Sequence, residues 1–483
     1  MLVSSAKENI SGLAYLLQRL DLQSGVGREL LSHSPWYAKG QEAQLLQELL
    51  RIEALKNLIE SGQTIVLDKL KRKFSQVLDI RGTFALLKKG DVDDVQLFEV
   101  KRFSLLVADC AALLTELLRD CALHPQPENF PDLSKAVSVL DPRSERLPAF
   151  YIYDEYNPLL AQKRNKIQEL ARLEQAREVQ QQTAVLQEEC AALEHEIRLD
   201  LTHRLCPYVE SLQDAMQKVA YWDLLIAKAY LSAEYHLVLP ELQKNAAPEL
   251  SYKGLFHPVV KQLLEEKGHR YQSIDLRLQS GACLFTGANM SGKTVLLKSL
   301  ALAQCLLQFG FLVPARQAVM PLFSRVELLV QDNQDEERGL SSFGAEMQRL
   351  NHILQALKQG TDMLLLIDEL ARTTNPTEGK AIVCAVLDAL QHLPCVAMVS
   401  THYGPIPNAV RRLRVKGFCE EKTDGGNETQ FDLSRIQACM DYSVIEENTA
   451  ANPPAEALRI ARLIGFDADV LKSAEQYYGK TKE

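Results

Sequence analysis

Glycine is distributed unevenly along this chain, and its distribution limits the folds that each half can adopt. No glycine occurs from Asp91 to Lys253, and residues 159–206 also lack proline. Because these two residues interrupt helices most strongly, this stretch can be helical throughout. After Pro248 the glycines become frequent, with five of them between Gly254 and Gly292. The sequence therefore predicts a helical first half and a second half of different architecture.

The apolar residues of the glycine-free stretch repeat with the spacing of a helix. They form two groups, and within each group they follow each other at steps of three, four or seven, with Glu, Gln, Arg and Lys between them: Ile167, Leu170 and Leu173, then Leu186, Leu193 and Ile197. This pattern predicts long helices over residues 151–248, packed as an antiparallel pair or a coil. The alternative is a charged, solvated helix without a partner. Residues 1–150 are also predicted to be mostly helical, with prolines between 125 and 148 marking a looser connection.

Composition excludes several classes of protein. The chain has 483 residues, of which 46% are hydrophobic and 24% charged, so disordered and collagen-like structures are excluded and about three domains are expected. The net charge of −9 argues against a protein coated in basic surface. Ten cysteines without a C-x-x-C pair predict reduced, buried thiols rather than disulfides or zinc. With no signal-like N-terminus and no long apolar run, we expect a cytoplasmic protein without membrane contact.

Short β-rich runs alternate with helical segments after residue 248. The strands are predicted at 282–286, 326–330, 363–367 and 395–400. Strands separated by helices predict a three-layer α/β domain with a largely parallel sheet, here over 249–435, followed by a return to helix at 436–483.

One segment fits the phosphate-loop pattern G-x-x-x-x-G-K-[ST] in full. The segment consists of Gly287, Ala288, Asn289, Met290, Ser291, Gly292, Lys293 and Thr294. A strand is predicted before it, and a helix is predicted over 295–307 after it. The glycines let backbone N–H groups turn towards phosphate oxygens, and the helix adds the positive end of its dipole. Lys293 is predicted to contact the β- and γ-phosphates of ATP, and Thr294 to bind Mg²⁺.

Two further strand ends supply polar side chains. The apolar run 363–367 leads into Asp368 and Glu369. Asp368 is predicted to bind Mg²⁺, and Glu369 to orient or deprotonate the attacking water. His402 follows the next predicted strand, where it can sense the γ-phosphate and help to orient that water.

These residues resemble the MutS-type ATPases of the ABC class. The resemblance extends beyond the phosphate loop in consistent order, to five further segments: 256–260 (FHPVV), 311–315 (FLVPA), 341–347 (SSFGAEM), 368–379 (DELARTTNPTEG) and 457–465 (ALRIARLIG). It predicts a multidomain protein. All-α core and lever regions at 1–150 and 151–248 would precede a P-loop ATPase domain of ABC type at 249–435 and a helical dimerisation segment at 436–483.

The resemblance also implies a mechanism. Two copies, or this chain and a related one, would associate through the ATPase domain, and Ser341 would reach the partner's γ-phosphate. His269 or Tyr271 would stack on adenine. The long helices would transmit the motion that ATP binding and hydrolysis produce. This sequence departs from the family where Ser291, Ala371 and Thr373 replace glycines.

Two functions follow from the resemblance. The chain is expected to begin in the core helices, without mismatch-reading or connector domains and without an inserted DNA clamp. That expectation and the acidic charge favour a protein client, in particular reactivation of an adenosylcobalamin-dependent aminomutase such as lysine 5,6-aminomutase. General family membership favours the alternative, a DNA-binding role in mismatch repair or recombination. The dense basic runs at 69–73 (KLKRK) and 411–414 (RRLR) are the candidate phosphate contacts for that role.

Overall fold

We describe the protein from a computed structural model. The structure describes residues 12–90, 92–121, 129–172, 177–243, 248–288, 291–330, 342–404, 406–407, 410–419, 439–447 and 456–480.

Helices make up most of the first half of the described chain. In order, the helices are α1 (Leu13–Gln18), α2 (Gly25–Ser32), α3 (Glu42–Glu60), α4 (Ile65–Phe74), α5 (Arg81–Lys89), α6 (Asp94–Asp120), α7 (Ser134–Leu140), α8 (Pro158–Leu170), α9 (Arg177–Leu205), α10 (Val209–Glu234), α11 (Pro258–Glu266), α12 (Lys293–Gln308), α13 (Ser342–Lys358), α14 (Pro376–Gln391), α15 (Glu456–Leu463) and α16 (Ala468–Lys480).

Strands occur only after residue 240 in the described chain. They are β1 (Glu241–Leu242), β2 (Glu249–Leu255), β3 (Ile274–Gln279), β4 (Gly281–Thr286), β5 (Gln317–Met320), β6 (Arg325–Leu329), β7 (Met363–Ile367), β8 (Cys395–Ser400), β9 (Arg411–Phe418) and β10 (Met440–Glu446).

The chain divides into two compact units. The helical unit comprises Leu20–Ser34 and Ala54–Tyr230, and the sheet unit comprises Met1–Arg19, Pro35–Glu53 and Leu231–Glu483. A helical region followed by an α/β domain is what the sequence predicts, whereas the four domain boundaries stay a prediction. Among the described residues, no helix is both long enough and apolar enough to cross a membrane.

Helix α6 is the longest core element of the helical unit that carries a complete N-terminal cap. The Asp93 carboxylate accepts hydrogen bonds from the backbone of Val95 and Gln96, while the Gln96 side chain accepts one from the Asp93 N–H. Such a capping box satisfies N–H groups that a helix start leaves unpaired. Helices α8 and α9 pack against each other. This contact agrees with the predicted packing of the long helices against each other.

The larger sheet has the strand order β10-β9-β4-β8-β7-β6. All neighbours in it are parallel except β9 and β10, so the predicted, largely parallel sheet is present as a mixed sheet. Strands β7 and β8 are buried along their whole length, which explains their unbroken apolar sequence. Helix α12 packs against β6 and β7 and is itself almost fully buried.

Two features of the sheet unit differ from the sequence prediction. Strand β10 lies beyond residue 435, where we expected the α/β domain to end and helix to begin. Its sequence, MDYSVIE, mixes polar and apolar residues because it is only partly buried, so it lacks the apolar run of a central strand. A smaller sheet with the order β1-β5-β2-β3 was also not predicted. Its strands are short or alternate between buried and exposed residues.

Candidate functional site

The candidate site lies where three adjacent parallel strands end. Strand β8 pairs with β4 on one side and with β7 on the other. Because parallel strands present their carboxyl ends at one edge, the residues that follow β4, β7 and β8 meet there. The predicted phosphate loop follows β4, the predicted carboxylates follow β7, and His402 follows β8.

The phosphate loop is closed by its own lysine. The buried Lys293 side chain donates hydrogen bonds from Nζ to the carbonyl oxygens of Gly287 and Ala288, each at 2.8 Å. Gly292 has a φ of +81°, a left-handed conformation that favours glycine, and α12 begins at the next residue. The helix therefore starts two residues earlier than predicted, so that its first turn faces the loop. Asn289 and Met290 lie outside the described residues.

Ser291 carries the polar side-chain atom of the phosphate loop that is not hydrogen-bonded to any described residue. Its Oγ is buried and has no hydrogen-bond partner among the described residues. A Cβ placed on Gly287 would lie 2.8 Å from this oxygen, so glycine leaves room for the Ser291 side chain in its present position. A buried hydroxyl without a partner is a group that a bound ligand can satisfy.

The Asp368 carboxylate joins the phosphate loop to β8. Thr294 Oγ1 donates to Asp368 Oδ2 at 2.5 Å, and Ser400 Oγ donates to Asp368 Oδ1 at 2.7 Å. Ser400 Oγ also accepts a 2.8 Å hydrogen bond from the backbone N–H of Glu369. The structure therefore brings three predicted residues together through a fourth, Ser400, that the sequence analysis did not select. The one signal available for it was a hydroxyl at the end of the neighbouring strand.

Glu369 is held in an unusual conformation beside this cluster. Its φ is +51°, in the left-handed region, and its Oε2 accepts a 2.5 Å hydrogen bond from Arg372 Nη1. The charged pair is asymmetric, because the Glu369 side chain is 19% exposed and that of Arg372 is 60% exposed. His402 is exposed, and its ring lies 4.3 Å from the ring of Tyr403. The roles of Glu369 and His402 stay predictions.

The two predicted adenine contacts, His269 and Tyr271, are distant in sequence from the strand-end cluster, and they differ from each other in burial. His269 is exposed. The Tyr271 hydroxyl accepts a 3.0 Å hydrogen bond from the backbone N–H of His257, and burial raises its pKa. The Tyr271 phenol is therefore already used to hold the start of α11. Ser341, the predicted contact to a partner's nucleotide, lies outside the described residues.

An aromatic ring that the sequence analysis missed lies against the phosphate loop. A Cβ placed on Gly292 would lie 3.1 Å from Cδ1 of Tyr442, so the Tyr442 ring and the loop are in close contact. Tyr442 lies on β10, and its N–H donates to Gln272 Oε1 at 3.1 Å. Because β10 itself was not predicted, nothing in the sequence placed Tyr442 near the loop.

Comparison with known proteins finds a family similarity over part of the chain. Residues 283–482 match the family model described as MutS domain V. This segment is therefore similar to MutS domain V. In the MutS family domain V is an ATPase domain, so the predicted enzyme class is confirmed for this part of the chain. The family resemblance is confirmed for the same segment.

Three curated relatives illustrate the similarity. The endonuclease MutS2 of Pediococcus pentosaceus is 28% identical over 284 residues, which are 58% of this chain and 33% of that protein. The DNA mismatch repair protein MutS of Halalkalibacterium halodurans is 30% identical over 218 residues, 45% of this chain and 25% of that protein. The DNA mismatch repair protein MutS of Listeria monocytogenes is 29% identical over 230 residues, 47% of this chain and 26% of that protein. The chain thus spans a quarter to a third of the length of these relatives.

Proposed function

We propose that this protein binds ATP with Mg²⁺, hydrolyses it, and uses the cycle to act on a macromolecular client. The observation that carries the proposal is the position of Asp368. Its two carboxylate oxygens accept hydrogen bonds from Thr294 of the phosphate loop and from Ser400 of the adjacent strand. A carboxylate linked to a phosphate-loop hydroxyl is the arrangement that P-loop ATPases use for nucleotide and metal.

The loop residues fit a triphosphate. The Lys293 ammonium donates to two neutral carbonyl oxygens, which are weaker partners for a cation than phosphate oxygens are. The Ser291 hydroxyl, which has no hydrogen-bond partner among the described residues, and the first turn of α12 add donors at the same place. We therefore assign phosphate binding to the loop 287–294, and the close contact of Tyr442 with Gly292 makes its ring a candidate contact to the nucleotide.

Thr294 and Asp368 are suited to hold Mg²⁺. Both supply oxygen ligands, and Mg²⁺ in such sites takes one or two protein oxygens together with phosphate oxygens and water. No cluster of three or more His, Cys, Asp or Glu side chains suited to a metal occurs in the described part of the chain. When bound, the ion neutralises charge on the phosphates.

Glu369 is the residue we propose to orient and deprotonate the attacking water, with His402 one strand away as a second polar contact. In this structure the Glu369 carboxylate is bonded to Arg372. Its use as a base therefore requires that Arg372 release it or share it. This is a local rearrangement of one exposed side chain.

We further propose that two copies, or this chain and a related one, associate through the ATPase domain. Ser341 would then contact the partner's nucleotide, as the family resemblance implies. Closure would be favoured by ATP and released by hydrolysis, and the long helices of the helical unit would carry the motion to the client.

The pairing of most cations in the two basic runs favours a protein client. In the first run, Lys71 pairs with Asp21 and Lys73 with Asp109, each at 2.7 Å, whereas Lys69 and Arg72 are exposed. In the second, the guanidinium groups bond acceptors of the same chain: Arg411 with Glu446, Arg414 with Glu447, and Arg412 with the carbonyl oxygen of Ile406. Cations that already have acceptors release less free energy on contact with phosphate. The DNA role is the alternative, and an aminomutase client stays a prediction of the resemblance.

Steady-state phosphate release tests the proposal. We expect Mg²⁺-dependent ATP hydrolysis by the wild type, strongly reduced turnover in Glu369→Gln, and loss of nucleotide binding in Lys293→Ala. Lys298→Ala, in the same helix outside the loop, serves as the matched lysine control. Absence of turnover in the wild type, or unaltered nucleotide affinity in Lys293→Ala, would contradict the assignment.

A further inference from the structure

Ala371 lies two residues after Glu369, and both its backbone N–H and its carbonyl oxygen are hydrogen-bonded to side chains. The Ala371 N–H donates to Glu346 Oε1 at 3.1 Å, and the Ala371 carbonyl oxygen accepts a hydrogen bond from the Tyr403 hydroxyl at 2.7 Å. Ala371 itself is fully buried. Glu346 lies on α13 and Tyr403 follows β8, so two separate elements hold this one residue of the loop.

The loop needs such support because its backbone is strained. Glu369 and Ala371 have φ values of +51° and +60°. This left-handed region is unfavourable for residues that carry a Cβ, and such residues remain in it only where the surroundings impose it. If the two hydrogen bonds at Ala371 were lost, the backbone could relax towards ordinary φ values. The direction of the Glu369 side chain would then change.

The surroundings are shaped to allow both contacts. A Cβ on Gly379 of α14 would lie 2.3 Å from the Tyr403 hydroxyl oxygen, so glycine at this position leaves the space that the phenol uses to reach Ala371. The second oxygen of the Glu346 carboxylate, Oε2, is buried without a partner in the described part of the structure. Burial raises the pKa of Glu346. Burying a carboxylate so incompletely bonded is unfavourable, so packing alone does not account for glutamate here.

Resting on the proposed hydrolytic function, we infer that Glu346 and Tyr403 are positioning residues for ATP hydrolysis. They hold the Ala371 backbone and thereby aim the Glu369 carboxylate at the attacking water. Neither residue is assigned a contact with nucleotide. The inference therefore predicts an effect on turnover rather than on nucleotide binding, because small misplacement of a catalytic group lowers the rate strongly.

Substitutions at Glu346 separate a positioning role from a structural one. We expect Glu346→Ala to lower kcat about tenfold or more while KM for ATP changes less than about twofold. Glu346→Gln should restore most of kcat, because its amide oxygen can accept the same hydrogen bond from Ala371. Gln348→Ala, an exposed truncation on the same helix, should leave both constants unchanged.

Tyr403→Phe tests the other contact. It removes the hydroxyl and keeps the ring, and should lower kcat without a matching change in KM. Tyr252→Phe is the control, since the buried Tyr252 hydroxyl has no partner among the described residues. The double variant Glu346→Ala with Tyr403→Phe should lose less than the product of the two single effects, because both contacts hold the same residue.

Amide hydrogen exchange gives a readout independent of turnover. We expect faster exchange of the Ala371 amide in Glu346→Ala and wild-type exchange in Glu346→Gln. Wild-type kcat in both Glu346→Ala and Tyr403→Phe would overturn the inference while leaving the proposed ATPase intact. A parallel loss of kcat, nucleotide affinity and thermal stability that Gln does not rescue would show a structural role instead, and would also overturn it. An inactive wild type would refute the proposed function, and the inference with it.

Discussion

Ala371 is strained because its backbone lies in the left-handed region, which is unfavourable for a residue that carries a Cβ. Its φ of +60° costs an L-residue on the order of 1 kcal/mol relative to glycine. We therefore expect Ala371→Gly to raise the free energy of unfolding by up to about 1 kcal/mol, less what the loss of one buried methyl group subtracts. Chemical denaturation of the purified protein measures it.

The control for this substitution is Ala381→Gly, at an exposed position inside α14. There the same exchange should lower the free energy of unfolding by about 1 kcal/mol, since glycine is the poorer helix former. Opposite signs at the two alanines would support the strain at Ala371. Equal losses at both positions would mean that the loop is not strained.

Asp441 anchors β10 beside the phosphate loop and makes stability depend on pH. Burial alone would raise its pKa, but hydrogen bonds from Ser443 and Gln272 outweigh burial and hold the pKa below its usual value. A carboxylate with a lowered folded pKa stabilises the protein above its unfolded pKa of about 3.9, and this contribution is lost as the pH falls towards the folded value.

The corresponding variant is Asp441→Ala. We expect its melting temperature to lie below that of the wild type at pH 7 and the difference to shrink below about pH 4. Glu265→Ala, at an exposed site on α11, should show no such pH-dependent difference. A difference between wild type and Asp441→Ala that stays constant from pH 7 to pH 3 would argue against the role of this carboxylate.

Some site residues could be predicted individually and others could not. Lys293 and Thr294 belong to one contiguous motif, and Asp368 follows an apolar strand, so local sequence was enough for them. Ser400, Tyr442 and Glu346 are defined by contacts between elements distant in sequence. Such contacts depend on strand order and register, which no local pattern specifies.

At the scale of elements, the strands that are buried on both faces were the ones that the sequence predicted. The central strands β7 and β8 are apolar throughout, and their observed bounds are those predicted. Strands β2 and β3 alternate, and β1 has only two residues, so their patterns resemble those of loops. Helix α12 was predicted in the right place, but its predicted start was two residues too late, because Lys293 and Thr294 belong to the phosphate loop motif as well as to the helix.

For the whole molecule, the partly paired basic runs lead to a prediction about DNA. We expect no binding of duplex or branched DNA tighter than about 10⁻⁶ M at physiological salt, since nonspecific affinity depends on cations available to phosphate. Fluorescence anisotropy between 50 and 200 mM salt measures it, conditions over which phosphate contacts lose affinity by orders of magnitude. Micromolar or tighter binding that weakens steeply with salt would reverse our preference and support the DNA role.

Glu369→Gln should also reveal the proposed association of two ATPase domains. The variant retains the phosphate loop and the Asp368 contacts but lacks the proposed base, so ATP should remain bound and hold two copies together. Light scattering after size exclusion, with Mg²⁺ and ATP, should show a stable dimer for Glu369→Gln and a shorter-lived one for the wild type. The double variant Lys293→Ala with Glu369→Gln is the control, because without phosphate binding no nucleotide-dependent dimer should form. If Glu369→Gln binds ATP yet remains monomeric, the nucleotide does not join two copies. Motion of the helical unit would then require association with a different partner.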